Sequence, residues 1–521
     1  MGDRQELVHE ATTSRRQLLV GAAVTAAAAA LPTTAWATTG HRRTALPDGV
    51  FSLGVASGDP GRHSVVLWTR LAPDPLHGGG MPEATVPVRY EVATDEGFRR
   101  VVRRGKVAAE ARFGHSVHVV AHGLQPGRWY WYRFVADGQV SPVGRTRTAP
   151  TGHGHRDALR FLFASCQNWQ GGFYSAWAHA PEEDPDLVVF LGDYMYEGGI
   201  SRSAPRQHNS DTVRDLVGYR NRYALYKGDP ALQAIHATCP WVVTWDDHEV
   251  ANNYTALLPQ NAAEAPTFAA RRAAAYLAWW EHQPVRLPPP TDENLRIYRT
   301  VSWGRLARFH VLDGRQYRSD QACGEGTTFD CPDRHLPERT LLGTEQEAWL
   351  GEGLRRSRAT WDVLANQTVM TSMPLAGVLF NPDQWDGYPA ARARLLDQIR
   401  AAGAKGSINP VVITGDIHAS GVGDVSDEGD DAPAVATEFV GTSISSTFPA
   451  DLVDVAEQLI NQVPHIRWAN VRKRGYVRCD VTPETLVAQY RLVDTALAQT
   501  SPISTETSWT VEAGTVGAHE T

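Results

Sequence analysis

Four short apolar runs in this chain each lead into side chains able to hold a metal ion. Phe161 to Ser165 runs into Cys166, and Leu187 to Leu191 runs into Gly192-Asp193-Tyr194-Met195-Tyr196-Glu197. Trp241 to Trp245 runs into Asp246-Asp247-His248-Glu249, and Val411 to Thr414 into Gly415-Asp416-Ile417-His418. Thiolate, carboxylate and imidazole are common protein donors to metal ions, so the chemistry on offer is metal binding. One such cluster says little, because Gly-Asp after a strand is often a turn and Asp-x-His is often a hydrogen-bonded surface pair. Four of them are expected to converge, because α/β folds gather their ligands at the carboxyl ends of strands.

The elements that must carry these residues follow from pattern. The four runs are continuous and apolar at strand length, as expected of strands covered on both faces. Thr267 to His282 and Thr344 to Arg356 have helical periodicity and composition. An α/β domain over residues 156–500 is therefore expected, with helices on both sides of a sheet or sheet pair. Residues 48–150 read as β throughout, with runs such as Ser64 to Thr69 and Val86 to Val92 bounded by Gly and Pro turns. They suit a fibronectin-type or immunoglobulin-like β-sandwich, in which a tyrosine near Leu124 to Phe134 ties its hydroxyl to upstream backbone. That domain carries no cluster of catalytic residue types, so a structural or positioning role is expected of it. The Gly-, Pro-, Thr- and His-rich stretch from Thr148 to Arg156 reads as the linker.

The 521 residues exceed one compact core, and 42% hydrophobic with 21% charged residues is an ordinary globular composition. A net charge of -8 argues against a nucleic-acid-binding surface. Residues 1–37 read as a twin-arginine signal peptide. Arg15-Arg16 precedes the Ala-rich run Leu18 to Leu31, and Ala35-Trp36-Ala37 supplies the cleavage pattern. The partner this implies is the twin-arginine (Tat) export machinery, with the mature chain secreted or cell-envelope associated and without an integral membrane segment. Five cysteines fit an oxidising compartment. Cys323 and Cys331 flank a polar loop that a disulfide can close, while Cys239 and Cys479 either pair or stay buried. Cys166 is then the odd one, open to reading as a disulfide partner, a nucleophile or a metal ligand. A cysteine phosphatase needs a Gly-rich anion loop and an arginine after the thiolate, which Gln167 to Gly172 does not supply.

The chain resembles the alkaline phosphatase D (PhoD-like) family of metallophosphoesterases, itself distantly similar to purple acid phosphatases. The resemblance rests on Phe163-Ala164-Ser165-Cys166, Leu191 to Glu197, Trp245 to Glu249 and Gly415 to His418. Asp313 to Asp320 and Gln384 to Pro389 add to it. It implies a calcineurin-like β-sandwich flanked by helices and a two-metal site. Asp193 would bridge both ions, with Cys166, Tyr196 and His418 on the first and Asp247 and Asp416 on the second. It implies Fe(III) with one or two Ca(II), and Mn or Mg are alternatives at the all-oxygen second site. Two such ions activate a bound water for in-line attack at phosphorus, so no phospho-enzyme is needed. His248 is then expected to hydrogen-bond phosphate or protonate the leaving group, with a role in orienting a carboxylate as its alternative. Asn252 and Arg315 are further candidates for phosphate contact, and Asp246 for a supporting carboxylate or a ligand to an additional calcium.

The function expected is hydrolysis of phosphomonoesters and phosphodiesters. One alternative is phospholipase D action on phospholipids, in which Trp385 and the tryptophans between Trp241 and Trp361 line a headgroup cleft rather than the core. The other is a non-catalytic cell-surface binding module, against which the intact set of ligand types argues.

Overall fold

In the computed structural model of the protein, the residues described are 45–152, 158–291, 294–373, 377–403, 409–427, 433–460 and 462–521. The leader expected over residues 1–37, and the end of the expected linker, lie outside the described residues.

Strand alternation builds the interior. In the strands Leu159–Ala164, Leu187–Phe190 and Pro240–Val243, successive side chains point to opposite faces, and both faces are buried. Phe161, Phe163, Val189 and Val242 pack with Phe309, Val363, Val411, Ile413 and Phe439 of a second sheet. Leu162, Ala164, Val188, Phe190, Trp241 and Val243 pack on the other side with residues of the helices Leu216–Lys227, Pro230–Thr238 and Ala265–His282. The outer face of the second sheet is covered by Thr344–Arg355 and Pro389–Gly403. Two sheets face each other between helices, and the strand and helix assignments read from pattern hold to within a few residues.

Among the described residues the larger sheet has ten strands and the second has seven. Leu159–Ala164, Leu187–Phe190 and Pro240–Val243 are adjacent and parallel in the first. Asn409–Thr414 lies in the second, parallel to Trp361–Ala365 and Ala436–Val440.

Residues 48–150 also form two layers, but one layer is shared. Val101–Ala109, Val86–Ala93, Trp129–Ala136 and Gln139–Val140 make a small sheet, with Gly144–Arg147 paired to Trp129–Ala136. Val55–Gly58, Ser64–Arg70 and Ser116–His122 face it across a core containing Val65, Leu67, Val88, Val92, Tyr132 and Phe134. Those three strands end the ten-stranded sheet, with Ser57 opposite Pro240 in a parallel pair. The pairing covers what would otherwise be an open edge at Pro240–Val243. The backbone N–H of Gln125 donates to the Tyr130 hydroxyl at 2.8 Å, the tie expected at this corner. At the other end the sheet continues past residue 500 through Ile503–Glu512 and His519–Glu520.

Cys323 and Cys331 form a disulfide, and Cys166, Cys239 and Cys479 are free and buried. Trp241, Trp245, Trp279, Trp303, Trp361 and Trp385 are fully buried and Trp280 nearly so, which places them in the core rather than along a headgroup cleft, and Trp349 is partly buried against the same interior. Among the described residues no helix is long and apolar enough to cross a membrane.

Candidate metal centre

Parallel strands bring the first three clusters to one edge of the larger sheet, and the facing sheet delivers the fourth. The two edges touch where Ser165 bridges Ser443 in parallel. A Cβ at Gly415 would overlap the Ser165 hydroxyl, so glycine is what lets the fourth loop close on the first. Gly192 adopts φ +109°, and a Cβ there would lie 2.6 Å from Asp246. The loops themselves are strained. Cys166, Asp193, Asp416 and His418 take φ of 57°, 58°, 65° and 56°, a region that non-glycine residues rarely occupy. Four of the twelve described residues of this kind fall in one cluster, where surrounding structure must hold them.

Donor atoms of Cys166, Asp193 and His418 all lie within 4.8 Å of one another. The same holds for Asp193, Asp247 and His248, and for Asp246, Asp247 and Asp416. Tyr196 joins the first group: its hydroxyl donates to Asp193 Oδ2 at 2.8 Å and meets His418 Nε2 at 3.1 Å. His418 Nδ1 lies 3.0 Å from the Thr447 carbonyl, which fixes its proton there and leaves Nε2 free to coordinate. Asp193 Oδ1 is buried and has no hydrogen-bond partner among the described residues. A buried carboxylate oxygen without a donor is costly, and it fits a position where a cation is the partner. The candidate donors read from the sequence therefore lie together, and their types suit metal ions.

Two of the expected phosphate contacts are placed differently. Arg315 is fully buried, with Nε on Asp246, NH1 on Asp383 Oδ1 at 2.8 Å and NH2 on Asp383 Oδ2. Its remaining neighbour is Asp247 Oδ1 at 3.9 Å. It stands behind the carboxylates and fixes them, which corrects the expectation that it reaches a phosphate. The Asn252 side-chain amide donates to Gln260 at 2.8 Å, within its own loop.

Other supports carry no recognisable motif. Glu249 accepts three backbone N–H groups: Asp193 at 3.0 Å, Asp246 at 2.9 Å and Tyr194 at 2.7 Å. One carboxylate thus ties the second loop to the third. Glu197 accepts from His248 Nδ1 at 2.8 Å and from the Asn252 N–H at 2.9 Å, and the His248 ring lies 4.0 Å from that of Tyr196. Gln384 donates to Asp416. Glu197 and Glu249 stand inside the strings already quoted, but their partners are set by the loops' convergence and left no signal in spacing.

The charges are poised for cations. Burial, reinforced by Asp193 and Asp416, pushes the Cys166 thiol well above its ordinary value. Burial and the neighbouring carboxylates do the same to Asp193, and they raise Asp416 to about 6. Burial opposes ionisation of Asp247 too, but Arg315 and His248 outweigh it and hold that carboxylate low. His248 is held well above the usual imidazole range: Asp247, Glu197 and Asp193 together overcome its desolvation.

Known proteins match this chain over nearly its whole length. The profile of the family described as PhoD-like phosphatase matches residues 161–490, and that of its N-terminal domain matches residues 35–150. Alkaline phosphatase D of Bacillus subtilis (strain 168) is 46% identical over 479 residues, spanning 90% of this chain and 82% of that protein. The solved structure described as "Structure of PhoD" superimposes with a TM-score of 0.85 at 44% identity, covering 90% of this chain and 92% of that one. A family profile over most of the chain and a relative this similar lead to one assignment: the chain belongs to the PhoD-like phosphatases and is a hydrolase of phosphate esters.

Proposed function

We propose that the chain is an exported phosphoesterase acting on monoesters and diesters through two metal ions. Trivalent iron would be held by Cys166, Asp193, Tyr196 and His418, and calcium by Asp193, Asp247 and Asp416. Asp193 carries the reading: it groups with Cys166 and His418 and, separately, with Asp247 and His248, and its buried Oδ1 has no hydrogen-bond donor among the described residues. Thiolate, phenolate and imidazole suit iron, whereas an all-carboxylate site suits calcium, with manganese and magnesium as competing occupants. When bound, two such ions supply an activated water and neutralise charge at phosphorus.

The chain's own residues do the rest. Asp193, Tyr196 and His418 are braced by each other and by Thr447, so the first donor set is aimed before an ion arrives. Arg315 holds Asp246 in place and keeps Asp247 ionised. His248, its Nδ1 proton on Glu197, is the group to hydrogen-bond the phosphate or hand a proton to the leaving oxygen. Cys166 acts as a ligand and not as a nucleophile, since burial holds its thiol protonated until a cation displaces the proton. The calcineurin-like description of the two-sheet core and the immunoglobulin-like description of residues 48–150 belong to the same reading. So does export by the twin-arginine route, which carries folded chains and would let iron enter first.

Metal analysis of the purified protein beside Asp193→Ala tests the proposal. Iron and calcium in the wild type, with both ions and activity lost in the variant, are expected. Full activity in Asp193→Ala, or an active wild type without metal, would overturn it. Comparing kcat/KM for p-nitrophenyl phosphate, bis(p-nitrophenyl) phosphate and phosphatidylcholine under calcium fixes the ester class. With the tryptophans in the core, the phospholipid reading has lost its supporting feature.

A further inference from the structure

The iron side of the centre has a support that the mechanism above does not use. Between the end of the strand Leu159–Ala164 and the start of Arg474–Val481, the segment from Ser443 to Ser446 is wedged. Ser165 bridges Ser443, and the Gly475 N–H donates to the Ser443 carbonyl at 3.0 Å. At its tip, the Ser446 hydroxyl lies 2.8 Å from the Cys166 carbonyl and 2.8 Å from the Tyr196 hydroxyl. The Ser446 carbonyl in turn accepts from Arg474 Nε at 2.5 Å, and Arg474 NH1 donates to the carbonyls of Lys473 at 2.8 Å and Val471 at 3.3 Å. Arg474 is only 8% exposed.

Buried arginines are normally paired, and Arg315 and Arg318 both meet Asp383. Among the described residues Arg474 has no carboxylate partner and is held by carbonyls alone. Burial lowers its pKa only to about 10, and Cys166 is the acidic group that favours its charge. It therefore stays cationic at neutral pH beside a donor set that is anionic at three positions once an ion is bound: Cys166, Asp193 and Tyr196.

We propose that Arg474 is a positioning residue for the iron site, pressing Ser446 against Tyr196 and Cys166 and serving as the counter-charge to their thiolate and phenolate. This rests on the iron reading given above. Three anionic donors and a neutral imidazole balance a trivalent ion and leave one excess negative charge around a divalent one. A fixed cation nearby therefore favours the reduced ion. The single proton of the Ser446 hydroxyl is shared between the Cys166 carbonyl and the Tyr196 oxygen, and turned to the phenolate once an ion is bound it would lower the energy of that oxygen's electrons.

The test uses purified holoenzyme carrying Arg474→Gln, Arg474→Lys or Ser446→Ala, with iron content, visible charge-transfer band and midpoint potential as readouts. Arg474→Gln is expected to lower the midpoint potential, and Arg474→Lys to restore most of the shift. Ser446→Ala is expected to keep its iron and move the charge-transfer band to longer wavelength. A merely structural Arg474 would lower Tm without moving either signal, so full iron with an unchanged potential in Arg474→Gln would overturn the proposal. If that variant does not fold, an unchanged band in iron-loaded Ser446→Ala overturns it equally. A wild type without iron or band would overturn the iron reading and this inference together, whereas iron and band that ignore both substitutions overturn this inference alone.

Discussion

On one side of Asp193 stand Cys166, Tyr196 and His418, and on the other Asp246, Asp247 and Asp416. The two sides handle buried charge in different ways. The carboxylate side is partly paired in advance: Arg315 bridges Asp246 and Asp383, Arg318 also meets Asp383, and Gln384 donates to Asp416. Among the described residues, the donors of the mixed side make no ion pair. Its thiol and phenol are held protonated by burial, and its buried cation, Arg474, touches carbonyls only. A site for a hard divalent ion can thus be pre-aimed by salt bridges. On the proposed reading, the thiol and phenol ionise only when their ion binds, because no carboxylate-type ion pair prepares them and Arg474 stands near them without touching them.

The substitution that should break both sides at once is Asp193→Ala, since Asp193 groups with Cys166 and His418 and also with Asp247. A loss of about 10³-fold in phosphatase activity, with both ions gone by metal analysis, is expected. Next in size, Arg315→Met should unbalance the carboxylate side alone. Leaving Asp246 and Asp383 buried with less counter-charge should cost about 3–5 kcal/mol in urea denaturation. Iron content should persist, and an unchanged denaturation midpoint would show that the clamp is not structural.

Glu197→Gln probes the residue between the two sides. It should lower kcat by about 10–100-fold with little change in metal content. The carboxylate helps hold His248 protonated, so its removal should also move the alkaline limb of the pH–rate profile to lower pH. A limb that stays put would detach His248 from acid catalysis.

The carboxylate side should also respond to pH through Asp416, whose pKa burial and Asp247 raise to about 6. A carboxyl raised in the folded state favours the metal-free fold as pH falls through about 6 towards its unfolded value. Cation binding requires the ionised form and runs the other way. Calcium affinity should therefore drop by about tenfold per pH unit below that point. The rise in Tm on adding calcium should be clear at pH 8 and shrink at pH 5. The smallest effect is expected of Asn252→Ala, within about twofold in kcat/KM, because its side chain is engaged by Gln260 and not by the centre. A large loss would return Asn252 to the list of substrate contacts.

Much of the candidate centre was legible in the chain because its possible donors sit directly after strands. A strand buried on both faces is a continuous apolar run, so its end is marked in sequence, and parallel pairing sends such ends to one edge. The Cys323–Cys331 bridge spans a short polar loop and was legible for a similarly local reason. Arg315 was misjudged because its partners Asp246 and Asp383 are each more than 60 residues away. The tryptophans gave an ambiguous signal, since an aromatic that lines a cleft and one that fills a core look alike until packing is known.

By itself, then, the sequence determined which residues can coordinate, which segments are strands and helices, and which loops must carry the ligands. Those are properties of side-chain type and of periods of two and 3.6 residues. Tertiary structure alone decided that Ser57 pairs with Pro240, that Glu249 ties two loops, and that Arg474 reaches the Cys166 side through Ser446. The reason is physical: those contacts join segments brought together only when two sheets close on a shared core, and no local pattern encodes the partner of a buried charge.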